Sequence, residues 1–380
     1  MNTLSATSIA TFKACPYRYY YRYVLGLVPI VEGDAQRMGT NYHRIHEISD
    51  MKLGGPCECQ HTQCAECELC GNTGKFPDNP MDAVIRHLDK AYAVAPVSKT
   101  IEEWEVEKIT LLYSLIGYQW YYGEQDIEYV VEKLEQKFRI PLLSPITRRK
   151  LALELIGKID RLFSASTNRF VHDYKSTSKN VEPDSTFWNH LTLDTQTRLY
   201  TYAAARMDLG LCGVLYDAWH KPQISPKMLT QADSAKFVED GMYCGEKFEI
   251  QFTQEPPPDG TEYLHVNGRK TETEPGKKPG TFAIRETPEM FGARLLQDIT
   301  TRPAYYFARR EVAHTADDIK TFEWELFNIY SSIRMMANKN TWWRNEQSCE
   351  ATYRCDYIDF CYSNKQVGPD EVPDNFRKVV

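Results

Sequence analysis

Asp160, Asp173 and Lys175 are the residues of this chain whose types and spacing point most directly to chemistry. They lie in Gly157-Lys158-Ile159-Asp160-Arg161 and in Asp173-Tyr174-Lys175. The segments Leu151–Phe163 and Arg169–Lys175, rich in Leu, Ile, Phe and Val, read as strands, and Ser164-Ala165-Ser166-Thr167-Asn168 between them is turn chemistry. A hairpin closed by a loop of about four residues, Ala165 to Asn168, sets Ser164 opposite Arg169. Equal counting along both strands then sets Asp160 opposite Asp173. Opposed residues of an antiparallel pair hold their Cβ atoms about 4.5–5.5 Å apart, close enough for two carboxylates to share one metal ion. Lys175 projects from the same face as Asp173 by the strand period of two. Two acids and a lysine meeting at one point suit metal-assisted hydrolysis. The plain alternative is a solvated hairpin face, and the apolar entry Phe170-Val171 weighs against it.

The elements around the hairpin must hold it still. Val130 to Leu143 reads as a preceding strand. Leu193 to Leu209 reads as a helix, and Leu211-Cys212-Gly213-Val214-Leu215-Tyr216 as a strand after it, so an α/β core is expected. Upstream, Ser5 to Ser8 offers N-caps to a first helix, and Gly39 to Glu47 reads as a helix opened by glycine, with His43 and Glu47 one turn apart on a common face. Pro80 to Tyr122 looks helical, with a break near Ala95-Pro96. Residues 221–300, rich in Pro, Gly and Lys over their first sixty, read as an elaborated loop region with short strands and no functional signal. Asp317 to Asn338 carries Ile319, Phe322, Leu326, Ile329, Ile333 and Met336 at helical spacing, a core-facing stripe.

Composition bounds the class. A chain of 380 residues with 42% hydrophobic and 26% charged content is an ordinary soluble globular sequence, large enough for one substantial core with insertions. No apolar run approaches the roughly 20 residues that span a bilayer, and Met1 to Ser5 lacks the features of a signal peptide, so a cytoplasmic protein with no membrane partner is expected. The net charge of −7 argues against non-specific coating of nucleic acid. Arg18, Arg22, Arg37 and Arg44, with Lys137, Arg139, Arg148, Arg149, Lys150, Lys158 and Arg161, suggest instead a local basic groove beside the acids. The 11 cysteines, in a chain without a secretion signal, point to metal or cluster ligation rather than disulfides.

With these residues in place, the chain resembles the PD-(D/E)XK nuclease superfamily, in particular its RecB-like branch and the iron–sulfur exonucleases related to AddB and to the CRISPR-associated RecB-like nucleases. The likeness runs from Leu4–Ile9 and Cys15-Pro16-Tyr17 through Gly39-xxx-His43-xxx-Glu47, Gly157-Lys-Ile-Asp160, Asp173-Tyr-Lys175 and Gln196-xxx-Tyr200 to Cys349, Cys355 and Cys361, in the family's order. It implies a restriction-endonuclease-like core, a central mixed sheet flanked by helices. It also implies that Asp160, Asp173, the carbonyl of Tyr174 and His43 bind a divalent cation. Oxygen ligands suit Mg²⁺ or Mn²⁺, and one imidazole tilts the preference toward Mn²⁺. Lys175 would orient the attacking water, and the helix face of Gln196 and Tyr200 would meet DNA.

By the same resemblance Cys15, Cys349, Cys355 and Cys361 would hold a 4Fe-4S cluster, a clasp between the two ends of the chain. Both intervals between the last three contain five residues, wider than the family's tight spacing, so zinc is the alternative there. Cys57, Cys59, Cys64, Cys67 and Cys70 form a separate insertion. Its Cys-xx-Cys-Gly ending is similar to zinc knuckles of the DnaJ type, and a subset of four, with His61 competing, would hold Zn²⁺.

The expected organisation is a single nuclease domain over 1–380. Within it lie a metal-binding insertion at 54–76, the core motifs at 130–220, and a C-terminal helix and cluster-binding segment at 317–361. The expected function is metal-dependent cleavage of DNA, as an exonuclease in recombination, repair or replication, with a helicase or recombination protein as partner and the host cytoplasm as location if the source is viral. A non-cleaving DNA-binding iron–sulfur scaffold is the alternative, and an iron–sulfur redox protein would leave the acids and the lysine unexplained.

Overall fold

The computed structural model describes residues 2–51, 56, 57, 59, 67–254, 262–351 and 354–379. Helices α1 (Ala6–Ala14), α2 (Asp34–Ser49), α3 (Pro80–Ala91), α4 (Ile101–Asp126), α5 (Thr195–Arg206), α6 (Gln231–Asp240), α7 (Pro288–Thr301) and α8 (Ala316–Lys339) surround a mixed sheet. Its strands are β1 (Thr3–Leu4), β2 (Tyr129–Leu143), β3 (Lys150–Ala165), β4 (Asn168–Thr177), β5 (Leu211–His220) and β6 (Phe307–Val312). The order is β1-β3-β4-β5-β6, and β2 pairs along β3. The fold is α/β, with helices on both faces of a central mixed sheet.

The hairpin register is Ser164 opposite Arg169, but Ala165 and Asn168 also pair. The connection is therefore the two-residue turn Ser166-Thr167 rather than four residues, with Ser166 in the left-handed region at φ 55°. The ladder continues to Arg161 opposite His172 and stops there. Beyond that point β4 pairs in parallel with β5, Asp173 opposite Tyr216 and Lys175 opposite Ala218. On the same edge of β3, β1 takes up only Glu154 and Leu155. Asp160 thus sits where β3 and β4 part. The strand is irregular here, because Ile159 and Leu162 share one core although residues three apart on an ideal strand face opposite ways. Across from it on β2, Glu135 adopts a φ of 51°. Such breaks in pairing re-aim side chains and recur beside active sites.

One face of the sheet packs α1, α5 and α8 through Ile9, Phe12, Leu155, Leu199, Val214, Phe322 and Leu326, all buried. The other packs α2, α4 and α7 through Tyr42, Ile45, Leu111, Leu115, Tyr174, Trp219 and Leu295. The amphipathic stripe of α8 is core packing, with Phe322 and Leu326 fully enclosed. Helix α2 begins at Asp34, after Gly33, so Gly39 lies inside it instead of opening it. Gly157 is required by close approach: a methyl there would overlap the ring of Phe138, its partner on β2.

The described part of residues 221–300 has the short strands expected, but it is more than a loop region. It forms helix α6, several short strands and most of α7 around a core of its own, Leu229, Phe237, Phe248, Leu264, Val266, Ile284 and Met290. Strands of two to five residues leave too short a pattern for periodicity to register. At the chain's ends, Leu27–Pro29 pairs with Phe376–Lys378, and Tyr357 OH donates to the carbonyl of Leu27 at 2.6 Å. No described helix is long and apolar enough to cross a membrane.

Candidate active site and cysteine centres

Strand β4 delivers Asp173 and Lys175, β3 delivers Asp160, α2 delivers His43 and α5 delivers Gln196 and Tyr200. Lys175 Nζ lies 3.1 Å from Asp173 Oδ1 and donates to Gln196 Oε1 at 2.9 Å. Gln196 Nε2 donates to Asp173 Oδ1 at 3.0 Å and contacts Tyr200 OH at 2.6 Å. Tyr200 in turn donates to the carbonyl of Lys158 at 2.8 Å, which ties α5 to β3. Asp160 Oδ2 accepts from the amide of Tyr174 at 3.1 Å and lies 3.0 Å from His43 Nδ1. Asp173 is fully buried, and its Oδ2 is ion-paired with Lys175 Nζ at 3.0 Å. His43, Asp160, Lys175, Gln196 and Tyr200 line a cleft of about 730 Å³, with Glu135 on its wall.

The two acids titrate differently. Burial pushes the Asp173 carboxyl up to about 6, with Lys175 opposing the rise and Asp160 adding to it. Burial also works against ionisation of Asp160, but the facing His43, Lys175 and the Tyr174 amide together bring it below the usual carboxylate value. Lys175 is raised although burial opposes its charge, because Asp173 and Asp160 are close. At a carboxyl held protonatable beside an ionised one, binding a cation would release a proton.

The donors are of the kind a hard divalent ion takes, but among the described residues His43, Asp160 and Asp173 do not all come within 4.8 Å of one another. Neighbouring ligands of an octahedral ion at bond lengths of about 2.1 Å stand roughly 3 Å apart. The 3.0 Å separation of His43 Nδ1 and Asp160 Oδ2 matches that spacing.

The model of the PD-(D/E)XK nuclease superfamily matches residues 3–362, a span that contains every element of this site. The chain belongs to the PD-(D/E)XK nuclease superfamily. A search of curated proteins finds no match. Membership makes the chain a nuclease of the divalent-metal-dependent kind, with DNA as the substrate the family implies.

This PD-(D/E)XK chain carries two separate groups of thiols. Cys57, Cys59, Cys67 and Cys70 hold their sulfurs within 4.8 Å of one another, with Cys57 to Cys67 and Cys59 to Cys70 both at 3.6 Å. Tetrahedral zinc with Zn–S bonds of about 2.3 Å sets its sulfurs roughly 3.8 Å apart, so the group can hold one metal ion. Cys64 and His61, the other candidate ligands, lie outside the described residues. Gly71 and Asn72 turn the chain through φ values of 55° and 68°. Although burial opposes it, amides of Cys70 and Leu69 draw the Cys67 thiol down to about 6.

Cys15, Cys349, Cys355 and Cys361 line one cavity of about 110 Å³. The amide of Asn345 points at Cys15 Sγ at 3.5 Å, and Ser348 Oγ donates to the carbonyl of Ala14 at 2.8 Å, fastening the two ends together. Among the described residues, no three of these four sulfurs come within 4.8 Å of one another.

The basic groove expected from charge is only partly present. Lys158 lines the cleft but pairs with Glu135. Arg161 is 4% exposed and bonds Asp50, away from the cleft, and Arg37 is held by Glu107 at 2.8 Å. Sequence spacing shows the sign of a charge but not its facing. Asp50 itself escaped the sequence reading. The signal available was its place seven residues after His43 on the same helical face.

Proposed function

We propose that this nuclease holds Mg²⁺ or Mn²⁺ on Asp160, Asp173, His43 and the carbonyl of Tyr174 and cuts DNA phosphodiesters as an exonuclease in recombination, repair or replication. The observation that carries the reading is the convergence of His43, Asp160 and Lys175 on one cleft, with the fully buried Asp173 carboxylate paired to Lys175 at 3.0 Å. When bound, the ion lowers the pKa of a water molecule and offsets phosphate charge. Lys175, aimed by Asp173 and Gln196, places a fixed positive charge where negative charge develops on the phosphate and orients the water. Gln196 and Tyr200 are engaged with Asp173, Lys175 and the Lys158 carbonyl, which supports a role in holding the lysine as well as in facing DNA. The exonuclease and pathway readings rest on the resemblance to the RecB-like branch. A helicase or recombination protein as partner rests on the same ground.

The insertion is read as a Zn²⁺ site on Cys57, Cys59, Cys67 and Cys70. The terminal set, Cys15, Cys349, Cys355 and Cys361, is read as a 4Fe-4S site. Thiols spread more widely than a single zinc ion tolerates, yet facing one cavity, favour a cluster over zinc there.

End-labelled single- and double-stranded DNA incubated with the protein and Mn²⁺ tests the function. Progressive shortening from an end, abolished by EDTA, is expected. Internal fragments would contradict the exonuclease reading alone, and intact DNA under every condition would contradict the whole.

A further inference from the structure

The residues that follow the two site acids both turn away from the cleft and meet again behind it. Arg161, next to Asp160, donates through Nη1 to Asp50 Oδ1 at 2.9 Å. Tyr174, next to Asp173, donates through its hydroxyl to Asp50 Oδ2 at 3.1 Å. Asp50 is the C-terminal cap of α2, the helix that carries His43. One carboxylate thus receives a donor from each of the two acid-bearing strands while being fixed to the helix that bears the imidazole.

The tether leads back into the cleft through Tyr174. Its ring packs on His46 at 4.2 Å and on His172 at 4.3 Å between ring centroids. The amide of that peptide donates to Asp160 Oδ2 at 3.1 Å, and its carbonyl is a proposed metal ligand. A closed circuit results, running from Asp50 through Tyr174 to Asp160, across 3.0 Å to His43, and down α2 to Asp50 again. A buried tyrosine and arginine need some acceptor wherever they sit. What generic core satisfaction does not require is that the acceptor lie on the third element of the site.

Among the described residues Asp126 is the other acid near Arg161, and no second hydrogen-bond acceptor meets the Tyr174 hydroxyl. Arg161 has hydrogen-bonded only Asp50, since Nε and Nη2 lack acceptors and Asp126 stands 3.9 Å away. Removing the carboxylate therefore breaks the hydrogen bonds from both strands to the C-terminal end of α2 at once, while the stacking of His46 on Tyr174 stays.

We propose that Asp50 is a positioning residue for the metal site, setting the spacing between His43 on α2 and the acids on β3 and β4 through Tyr174 and Arg161. The inference rests on the proposed assignment of the metal ligands. Groups that orient ligands without touching the ion are worth about 10- to 100-fold in metal affinity.

The test is Mn²⁺ affinity, read from the electron paramagnetic resonance signal of free Mn²⁺, with thermal midpoint and far-ultraviolet circular dichroism recorded on the same samples. Tyr174→Phe keeps the ring and the peptide but removes one tether, and about tenfold weaker binding is expected with secondary structure retained. Asp50→Ala removes both tethers and is expected to approach 100-fold, with partial recovery in Asp50→Asn, which keeps an acceptor for the hydroxyl. Should Asp50→Ala fail to fold, Tyr174→Phe decides alone. A merely structural role would lower the thermal midpoint and leave the affinity of the folded protein unchanged. Folded Tyr174→Phe and Asp50→Asn with wild-type affinity would overturn the proposal, whereas a wild-type protein that binds no Mn²⁺ would overturn the ligand assignment beneath it.

Discussion

Lys175→Ala is expected to lower DNA cleavage by about 10²–10³-fold while Mn²⁺ still binds, because a charge preplaced for the transition state is lost and the carboxylates remain. Asp173→Ala is expected to abolish both cleavage and Mn²⁺ binding. The two variants separate roles that are only 3.1 Å apart in space. The visible absorption of an iron–sulfur cluster should survive both, since the thiols of the clasp lie on other elements, at the start of the chain and after α8. Cleavage that persists in Lys175→Ala would remove the lysine from the mechanism. Loss of the cluster with Asp173 would show that the clasp and the catalytic cleft are not independent.

The second large effect belongs to the clasp. Cys361→Ala is expected to destabilise the join between the ends so strongly that Leu27–Pro29 and Phe376–Lys378 no longer stay paired. Whole domains are stable by only about 5–15 kcal/mol, and a structural metal site contributes an amount of that same order. The small core that lies under the join, Tyr21, Leu25, Leu27, Tyr357 and Val367, is too slight to replace it. Limited proteolysis of protein prepared without oxygen, with iron and labile sulfide measured alongside, checks this. Early cleavage near both termini and loss of iron are the expected result. A variant with the wild-type digestion pattern and thermal midpoint would mean that side-chain packing alone holds the ends.

Much of the core was legible because its signals were local or periodic. The hairpin register held from Ser164 opposite Arg169 to Arg161 opposite His172 despite an error in its turn, but the expected opposition of Asp160 and Asp173 falls past the end of the ladder, where Asp173 pairs with Tyr216. The stripe of α8 carried its own period over 24 residues. What stayed hidden depends on tertiary placement. Arg161 reads as a groove cation from sequence, yet the break in strand alternation at Asp160 turns it toward Asp50. Glu135 reads from sequence as an acid near the site without a role, and the structure puts it on the cleft wall, paired with Lys158, with a φ of 51°. In residues 221–300 the short strands were expected, and what the Pro- and Gly-rich composition hid was helix α6, the start of α7 and a separate core.

Titration of the purified protein with Mn²⁺ between pH 5 and pH 8, alongside Asp160→Ala and Asp173→Ala, tests the metal site most directly. Asp173 titrates near 6 in the metal-free protein, above its ordinary value, so it is protonated at the acid end and must release that proton to bind a cation. Affinity should therefore be highest above pH 6 and fall about tenfold or more per pH unit below it, and it should vanish in both variants. Binding that ignores pH across this range, or that persists without either carboxylate, would contradict the account.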